Sequence, residues 1–515
     1  MGHDPAGTLD VRSRELDPVE LQVVAGALRA ACEEMGAVLI GSARSANIKE
    51  RRDASTALFD ASGEMVMQAE HIPVHLGSMP AAVKAVLGED HSAGDSWVLN
   101  DPFAGGTHLP DITAITPVLC AGELLGFAAS RAHHADVGGR VPGSMPADSR
   151  SLEEEGLVIA PTRLLDSTLQ ELAQQMRQPE ERAADLRAQL AANRMGARRL
   201  VELANRIGPP RLREAFAAVL DYAERRARAS ISELLDGERH ADDVLEGSGS
   251  FQDEIRLRLR ATVIGDRLIL DFGGSAPQQP SNLNCPLAVT MSACLFAVKV
   301  LTDPDIPPSA GAYRPIEIVV PEASILNARP VGGHRPAVAA GNVETSSRVA
   351  DLVLAAFGRA QGQGTMNNLT LGADTFSYYE TTGGGQGACP DADGPSGVHV
   401  AMSNTMNTPV EALEQEFPVR VLRYGLRCGS GGLGAHRGGD GVVREIEALQ
   451  EMAYSLIADR RRHGPRGAAG GGDGLPGRDR LDGEPIDSKS TGFLEPGARL
   501  CIETPGGGGH GPAPD

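Results

Sequence analysis

The stretch Asn100-Asp-Pro-Phe-Ala-Gly-Gly-Thr-His108-Leu-Pro-Asp111 leads into a predicted β-hairpin, and His133-His134-Ala-Asp136 follows its end. Two apolar runs, residues 112–119 and 124–129, lie between these stretches and are joined by Cys120-Ala-Gly-Glu123. Apolar runs on either side of a glycine-containing turn are typical of a hairpin. The two polar stretches hold three His, three Asp, two Gly and two Pro, so we take them as one candidate reaction centre.

The register of this hairpin decides which side chains meet. With the turn centred near residues 121–122, Asp111 lies opposite roughly Ala132, and the loop with His108 meets the two histidines that end the second strand. Cβ atoms of opposed residues lie about 5 Å apart and diagonal ones about 7–8 Å. Both separations are within reach of one metal ion with ligand bonds of about 2.0–2.2 Å. The hairpin therefore predicts a metal centre, although polar residues that cap strand ends would give the same pattern.

Length and composition indicate a large globular protein. A chain of 515 residues is long enough for about three domains. Apolar residues make up 41% and charged residues 23%, which is typical of a soluble folded protein. The net charge of −20 repels nucleic-acid phosphates, and aromatic residues at 3% leave few surfaces on which bases could stack. We therefore expect no nucleic-acid partner.

Several features favour a cytoplasmic location. The seven cysteines form no C-x-x-C pair, and their odd number fits reduced thiols. The first residues are polar and acidic, unlike a signal peptide, and no run of 18 apolar residues predicts a membrane span. The sequence has no glycine-rich phosphate-binding loop of the type G-x-x-x-x-G-K-S/T.

Changes of hydrophobic period predict a mixed α/β (α+β) fold with several subdomains. Residues 1–160 form an N-terminal α/β region, which starts with a helix after Asp17-Pro18 and contains the candidate site. Residues 161–237 form a helical insert, with a break at Gly208-Pro-Pro210. Residues 238–515 change from α/β to a β-rich region, in which glycine runs such as residues 506–509 predict tight turns.

Motifs along nearly the whole chain are similar to those of one known family. The matching segments run in order from about residue 18 to residue 511. Besides the candidate site, they include Arg44-Ser-Ala-Asn-Ile-Lys49, His71-Ile-Pro-Val-His75, Gly341-Asn-Val-Glu-Thr-Ser346, Glu380-Thr-Thr-Gly-Gly-Gly385 and Thr504-Pro-Gly-Gly-Gly-Gly509. On these motifs the chain resembles the hydantoinase B/5-oxoprolinase family.

The resemblance implies one half of a two-subunit reaction. Members act with a hydantoinase A type subunit, which uses ATP to activate a lactam, hydantoin or ketone substrate, and the B-type chain completes the reaction at a divalent metal. In the acetone carboxylase branch a His-x-x-Asp pair and a later His hold the metal, and this pattern falls here on His108, Asp111 and His134. Two imidazoles and one carboxylate suit Mn, Fe or Zn. His133 is the alternative to His134, because neighbouring residues on a strand face opposite ways.

Four further residues are candidate catalytic groups. His71 and His75 could face one pocket, with His75 as a base or substrate contact, and Asp136 could orient a histidine ligand. Glu344 and Glu380 lie in glycine-containing motifs, where the backbone can approach a ligand closely. The alternative for each is an ordinary structural role, as a hydrogen-bonded side chain or as part of a turn.

We therefore expect a cytoplasmic B-type subunit of an ATP-dependent cyclic-amide hydrolase, which forms a hetero-oligomer with an A-type chain. The partner would phosphorylate the substrate, and water at the metal would attack the activated carbonyl. Within the same family, the alternative is a subunit of an acetone or acetophenone carboxylase-like enzyme. Alternatives from other classes are a non-catalytic scaffold for the A-type subunit and a metallohydrolase that acts alone.

Overall fold

The predicted hairpin forms the middle of a six-stranded antiparallel sheet. The computed structural model describes residues 16–70, 72–247 and 253–514, and His71 lies outside them. The strands of this sheet are β1 (Ala54–Asp60), β2 (Met65–Glu70), β3 (Trp97–Leu99), β4 (Asp111–Cys120), β5 (Glu123–His133) and β6 (Thr162–Arg163). They lie in the order β2-β1-β5-β4-β3-β6. The two hairpin strands, β4 and β5, therefore lie at the centre of the sheet.

A bulge shifts the register of the hairpin by one residue from the prediction. The turn residues Ala121 and Gly122 both have positive φ, 52° and 84°, as the favoured two-residue hairpin turn requires. Near the turn the register shifts between residues 118 and 119 of β4, because β5 carries one extra residue there. Asp111 consequently lies opposite His133, one position further along β5 than predicted. Opposed side chains share one face of a sheet, so these two point the same way.

Helices cover both faces of the sheet. The helices of the N-terminal half are α1 (Pro18–Ser42), α2 (Ala46–Lys49), α3 (Met79–Lys84), α4 (Leu152–Glu155), α5 (Asp166–Ala173), α6 (Pro179–Ile207) and α7 (Pro209–Ser232). Asp17 caps α1, accepting hydrogen bonds from two backbone N–H groups of its first turn at 2.7 and 3.0 Å.

The long helices pack on one side of this sheet and α3 packs on the other. Helices α1, α6 and α7 bury apolar side chains such as Met35, Leu200 and Phe216 against it. On the opposite side, Met79 of α3 belongs to a cluster with Phe127 of β5. The predicted helices of residues 161–237 thus form a layer over the sheet that carries the candidate site. The division of the chain at residues 160 and 237 stays a prediction.

The second half of the chain contains three more sheets. The first has β7 (Gly237–Leu245), β8 (Ile255–Ile264), β9 (Arg267–Asp271) and β10 (Ile316–Val319), with the order β10-β9-β8-β7. The later helices are α8 (Leu287–Leu301), α9 (Ala310–Tyr313), α10 (Ser346–Ala356) and α11 (Val410–Glu416). Helices α8 and α10 share an apolar core with this sheet. Among the helices of the described residues, none is long and apolar enough to cross a membrane.

The last nine strands build two sheets that pack face to face. They are β11 (Asn368–Ala373), β12 (Phe376–Glu380), β13 (Val419–Arg427), β14 (Gly441–Ala448), β15 (Met452–Ile457), β16 (Arg478–Leu481), β17 (Glu484–Pro485), β18 (Lys489–Leu494) and β19 (Arg499–Glu503). The sheet orders are β12-β11-β15-β18 and β13-β14-β19-β16-β17, and one apolar cluster fills the space between them. This confirms the mixed α/β fold with a β-rich, glycine-rich C-terminal part.

The glycine run 506–509 is an extended segment and not the predicted tight turn. Its four N–H groups donate to the carbonyl oxygens of residues 475, 439, 361 and 472 at 2.9–3.1 Å. A Cβ on Gly507 would lie 2.0 Å from the carbonyl oxygen of Gln386, so only glycine fits there. Because these N–H groups already have acceptors, the run has no free donors with which to bind a phosphate.

Candidate metal centre

Three buried side chains converge where β4 begins and β5 ends. His108 Nε2 lies 3.2 Å from Asp111 Oδ1, and His133 Nδ1 lies 3.3 Å from the same oxygen. The two ring nitrogens are 3.2 Å apart, so the three donor atoms form a nearly equilateral triangle. Each of the three side chains is no more than 2% exposed. We call this group, with the neighbouring His75, the His/Asp cluster.

The triangle fits a divalent cation. Ligand bonds of about 2.0–2.2 Å place neighbouring donors of one ion roughly 3.0–3.5 Å apart. Two imidazole nitrogens and one carboxylate oxygen are donors that suit Mn, Fe or Zn. Two ring nitrogens that face each other at 3.2 Å need a proton or a cation between them, since their lone pairs repel. The residues present can therefore hold a metal ion by three protein ligands.

His75 brings a further nitrogen to the centre. It ends a short 3-10 turn, Pro73–His75, and its Nε2 lies 3.5 Å from Asp111 Oδ2. Its Nδ1 lies 2.9 Å from Ser55 Oγ on β1. When the hydroxyl accepts the Nδ1 proton, Nε2 is left as a proton acceptor that faces the cluster. The structure thus brings the predicted catalytic candidate His75 to the site.

The loop before β4 is held in place by Asn100. Its side-chain amide makes three hydrogen bonds of 2.7–2.9 Å to backbone groups of residues 109, 157 and 159. A Cβ on Gly106 would lie 2.2 Å from the carbonyl oxygen of Asn100, so this tight passage requires glycine. Thr107 Oγ1 donates to Asp111 Oδ2 at 2.6 Å and orients the carboxylate. These contacts explain why His108 and Asp111 project together.

The protonation states of the cluster suit metal binding. Burial by itself raises the pKa of Asp111, but the charge of His108 and hydrogen bonds from three histidines bring it well below its usual range. Burial lowers the pKa of His133, and the hydrogen bond to Asp111 and the charge of Asp53 oppose this only in part. An ionised carboxylate and a neutral imidazole are the forms that bind metal ions.

Tyr379 on β12 connects the cluster with a second set of buried polar residues. Its ring stacks on that of His133, with 4.4 Å between the ring centroids and 12° between the planes. Its hydroxyl donates to Asn368 Oδ1 at 2.8 Å, and Asn368 Nδ2 donates to Glu344 Oε1 at 3.1 Å. Sequence analysis missed Tyr379 and Asn368. The only signal for them was the neighbouring motif that begins at Glu380.

Glu344 is connected to the centre through this chain of contacts. It lies in a π-helical turn, Gly341–Thr345, a rare conformation that is frequent at functional sites. Its Oε1 also accepts from Met366 N at 3.2 Å, whereas Oε2 has no hydrogen-bond partner in the described part of the chain. Burial, and next the negative charge of Asp459, raise the pKa of Glu344 to about 7. Such a group can give or take a proton near neutral pH.

His134 lies outside the His/Asp cluster. Its Nε2 is 3.0 Å from Gln189 Oε1 on α6, so its ring points toward that helix. Burial lowers the pKa of His134 to about 4. The geometry therefore favours His133 over His134 as the third ligand, and the cause is the hairpin bulge that puts His133 opposite Asp111.

Asp136 and Glu380 also lie apart from the cluster. Asp136 accepts from the backbone N–H groups of residues 138 and 143 at 2.6 and 2.8 Å, and Arg177 lies 3.1 Å away. Glu380 is paired with Arg444 at 2.6 Å and accepts from Thr408 N at 3.0 Å. Contacts of this kind are typical of residues that hold loops and strands together.

The mixed α/β fold and its buried His-Asp-His cluster make this chain a candidate metalloprotein. Residues 17–513 match the family described as Hydantoinase B/oxoprolinase, and the chain belongs to that family. The predicted family is thus confirmed.

Relatives of known sequence differ in length. The chain is 40% identical over 537 residues to 5-oxoprolinase 1 of Arabidopsis thaliana, which covers 96% of this chain and 42% of the plant protein. It is 29% identical over 540 residues to the B-type subunit of a putative D-/L-hydantoinase of Pseudomonas sp. strain NS671, which covers 97% of this chain and 90% of that protein. The chain therefore spans about two fifths of the length of the plant 5-oxoprolinase but most of the bacterial protein.

Two solved structures have a similar fold. The ATP-dependent caprolactamase from Pseudomonas jessenii superposes with a TM-score of 0.89 at 29% identity, over 97% of this chain and 92% of that one. An acetone carboxylase in its nucleotide-free form gives a TM-score of 0.85 at 18% identity, over 97% of this chain and 76% of that one. At 18% identity the second similarity concerns the fold alone.

Proposed function

We propose that this chain is the cytoplasmic B-type subunit of an ATP-dependent cyclic-amide hydrolase, with an A-type chain as its partner in a hetero-oligomer. The observation that carries the proposal is the buried triangle of His108, Asp111 and His133 in a member of this family. Among its relatives are a 5-oxoprolinase and an ATP-dependent caprolactamase, which supports a lactam or related hydantoin as the substrate class. The donor set favours Mn, Zn or Fe at the centre.

The chemistry requires activation before ring opening. An unactivated amide is a poor electrophile, and phosphorylation of its oxygen by the partner supplies a leaving group. A bound metal ion supplies Lewis acidity and lowers the pKa of a nearby water. His75 Nε2 takes a proton from the attacking water, because Nδ1 is occupied by Ser55. Attack at the carbonyl carbon gives a tetrahedral species whose ring C–N bond breaks, and Glu344 supplies the proton that the released nitrogen takes up. The acyl phosphate left on the opened chain is hydrolysed by a second water to a carboxylate and inorganic phosphate.

The proposal is tested with the chain purified together with its A-type partner. We expect His108→Ala and His133→Ala to lose both bound metal and ATP-dependent lactam opening. The matched control is His134→Ala, which should keep the metal because His134 points toward α6. If His108→Ala keeps metal and turnover, the assignment of the site is wrong.

Labelled bicarbonate separates the hydrolase from a carboxylase. The same complex is supplied with ATP, a ketone and the label, and a hydrolase incorporates none of it. Incorporation of the label into product would show that the substrate is a ketone and not a cyclic amide. The proposed metal ligands would stay the same.

A further inference from the structure

Five arginine side chains are fully buried among the described residues, and they differ in their partners. They are Arg51, Arg131, Arg182, Arg348 and Arg460. Three of them have carboxylates within ion-pair distance: Arg182 has Glu181 and Asp185, Arg348 has Asp243 and Asp459, and Arg460 has Asp243 and Asp351. In the part of the chain that the structure describes, Arg51 and Arg131 have no carboxylate that close. Arg131 lies close enough to Asp111 to feel its charge, and Arg51 contacts Tyr379, whose ring stacks on His133.

Arg131 is part of the scaffold around the cluster. It lies two residues before His133 on β5, and its guanidinium donates to Thr113 Oγ1 at 2.7 Å, to Gly105 O at 2.9 Å and to Ser78 Oγ. Burial lowers the pKa of Arg131 to about 10, and the negative charge of Asp111 partly offsets this effect. Its positive charge is thus balanced by the cluster itself.

Arg51 has no carboxylate within ion-pair distance in the described part of the chain, although the charge of the buried Asp53 acts on the same Tyr379 as the charge of Arg51. Its guanidinium donates to Tyr379 O at 2.9 Å, to Thr381 Oγ1 at 2.8 Å and to Thr405 Oγ1 at 3.0 Å, which are all neutral acceptors. Its Nε has no hydrogen-bond partner among the described residues, but the same holds for Arg182, Arg348 and Arg460, so Arg51 differs from these three in having no carboxylate within ion-pair distance. A buried charge without a counter-charge is costly, so a folded protein keeps one only where something compensates for it.

The position of Arg51 indicates what the compensating group is. The guanidinium carbon lies 4.9 Å from the centroid of the Tyr379 ring, and the same ring stacks on His133. One aromatic ring therefore contacts both the unpaired cation and a ligand of the candidate metal centre. An anion bound at Arg51 would lie close to Tyr379, whose ring contacts the candidate metal centre, and a planar guanidinium is well suited to phosphate and carboxylate oxygens.

We propose that Arg51 binds an oxyanion of the substrate during ring opening. This inference rests on the proposed function, which supplies two sources of an oxyanion on a cyclic amide. One is the phosphoryl group that the partner transfers, and the other is a carboxylate on the substrate itself. The two threonines, whose hydroxyl oxygens lie 2.8 Å apart, hold the plane of the guanidinium.

The first test uses the full chain and inorganic phosphate in isothermal titration calorimetry. We expect saturable binding to the wild type, weakened by about tenfold or more in Arg51→Lys, since lysine lacks the planar fork. Arg182→Lys is the matched control, because Arg182 is equally buried but has carboxylate partners, and it should bind phosphate as the wild type does.

The second test uses the complex with the A-type partner and two lactams, 5-oxoproline with a carboxylate and 2-pyrrolidinone without one. A raised KM of Arg51→Lys for 5-oxoproline alone identifies the carboxylate as the ligand. A similar fall in kcat for both lactams, with weaker phosphate binding, identifies the phosphoryl group. Unchanged constants for both lactams, with unchanged phosphate binding, overturn the proposal.

One further outcome tests the proposal with the wild-type protein alone, and another separates it from the proposed function. If the wild-type chain shows no saturable phosphate binding and 5-oxoproline protects it from thermal unfolding no better than 2-pyrrolidinone, the proposal is wrong. If the wild-type complex opens neither lactam and no hydantoin, the proposed function fails, whereas phosphate binding lost in Arg51→Lys but kept in Arg182→Lys would still support the oxyanion site.

Discussion

Two buried groups of charged side chains differ in whether their charges are balanced. The first, the Arg/Asp cluster, lies between the second sheet, α10 and the C-terminal sheets. Its cations all have carboxylate partners at 2.9–3.5 Å; its members are Asp243, Arg348, Asp351, Asp459, Arg460 and Lys489. The second is the His/Asp cluster, in which three histidines surround the single carboxylate of Asp111.

The comparison distinguishes buried charged residues that hold elements together from those that could bind a ligand. Buried polar groups that satisfy one another hold elements together, whereas buried groups without partners need an explanation. In the His/Asp cluster, His75 Nε2 has no hydrogen-bond partner within the described chain, and His108 Nε2 and His133 Nδ1 face each other at 3.2 Å. The charges of the Arg/Asp cluster balance one another, whereas the His/Asp cluster has one carboxylate for three histidines, as expected of a site that binds a ligand.

The largest effect is expected from Asp111→Asn. This change keeps the shape of the side chain but removes the only negative charge among the three proposed ligands. Turnover of the complex should fall on the order of 10⁴-fold, or about 5 kcal/mol in activation free energy. Elemental analysis should find no bound metal. Full metal content in a variant without activity would show that the carboxylate acts otherwise than as a ligand.

Arg460→Met, in the Arg/Asp cluster, should have the opposite effect: it should lower stability and leave metal binding unchanged. The change leaves Asp243 and Asp351 without a cation that lies 2.9 and 3.2 Å away. Removing one partner of a buried ion pair costs about 3–5 kcal/mol, so the free energy of unfolding in urea should fall by that amount. The metal content of the folded fraction should not change. Metal loss in this variant would mean that the two clusters are coupled.

Glu344 should make stability depend on pH. Its pKa is raised to about 7 in the folded protein, so the folded state keeps a proton that the unfolded chain releases. The stability due to this group is present at low pH and falls as pH rises from its ordinary pKa toward 7, by about 3 kcal/mol in all. Glu344→Gln should flatten this slope in urea unfolding and should be more stable than the wild type at pH 8.

Glu155 provides the control for Glu344. Burial also raises the pKa of Glu155 to about 7, but its carboxylate accepts hydrogen bonds from Ser149 and from two backbone N–H groups. Glu155→Gln should flatten the pH dependence in the same way and leave turnover nearly unchanged. Equal losses of turnover in both variants would remove Glu344 from the reaction.

The smallest effect is expected from His134→Gln. The change removes one hydrogen bond, to Gln189, and should cost about 1 kcal/mol of unfolding free energy. Bound metal and turnover should stay at the wild-type level, in contrast to His133→Gln. A loss of metal from the His134 variant would return the third ligand to the residue that the family pattern indicates.

Local patterns were sufficient to predict much of the candidate site. The hairpin, its turn and the convergence of His108 and Asp111 follow from apolar runs, a glycine turn and short spacings. The choice between His133 and His134 does not follow, because one extra residue near the turn moves the register along β5. Gly126 was the available signal, since a glycine within a strand often marks a bulge. A Cβ there would lie 2.0 Å from the carbonyl oxygen of Phe59.

Contacts between distant segments could not be predicted in this way. Tyr379 reaches His133 only because β12 pairs with β11 and both pack beside the hairpin, an arrangement that no local pattern specifies. Asp136 was predicted to orient a histidine ligand, and Glu380 was predicted to be catalytic because it lies beside a run of glycines. Carboxylates that accept backbone N–H groups in tight loops produce the same motif, so the sequence pattern alone does not distinguish the two roles.

The extended glycine run completes the C-terminal layer only after earlier segments of the chain have been made. Residues 506–509 lie between segments whose carbonyl oxygens, at residues 361, 439, 472 and 475, accept their N–H groups. All four acceptors precede the run in the chain, so they leave the ribosome earlier. Until the run follows, water solvates these carbonyl oxygens. Chains fold as they emerge, from the N-terminal end. The His/Asp hairpin precedes the run in the chain, so it can form before the C-terminal layer closes.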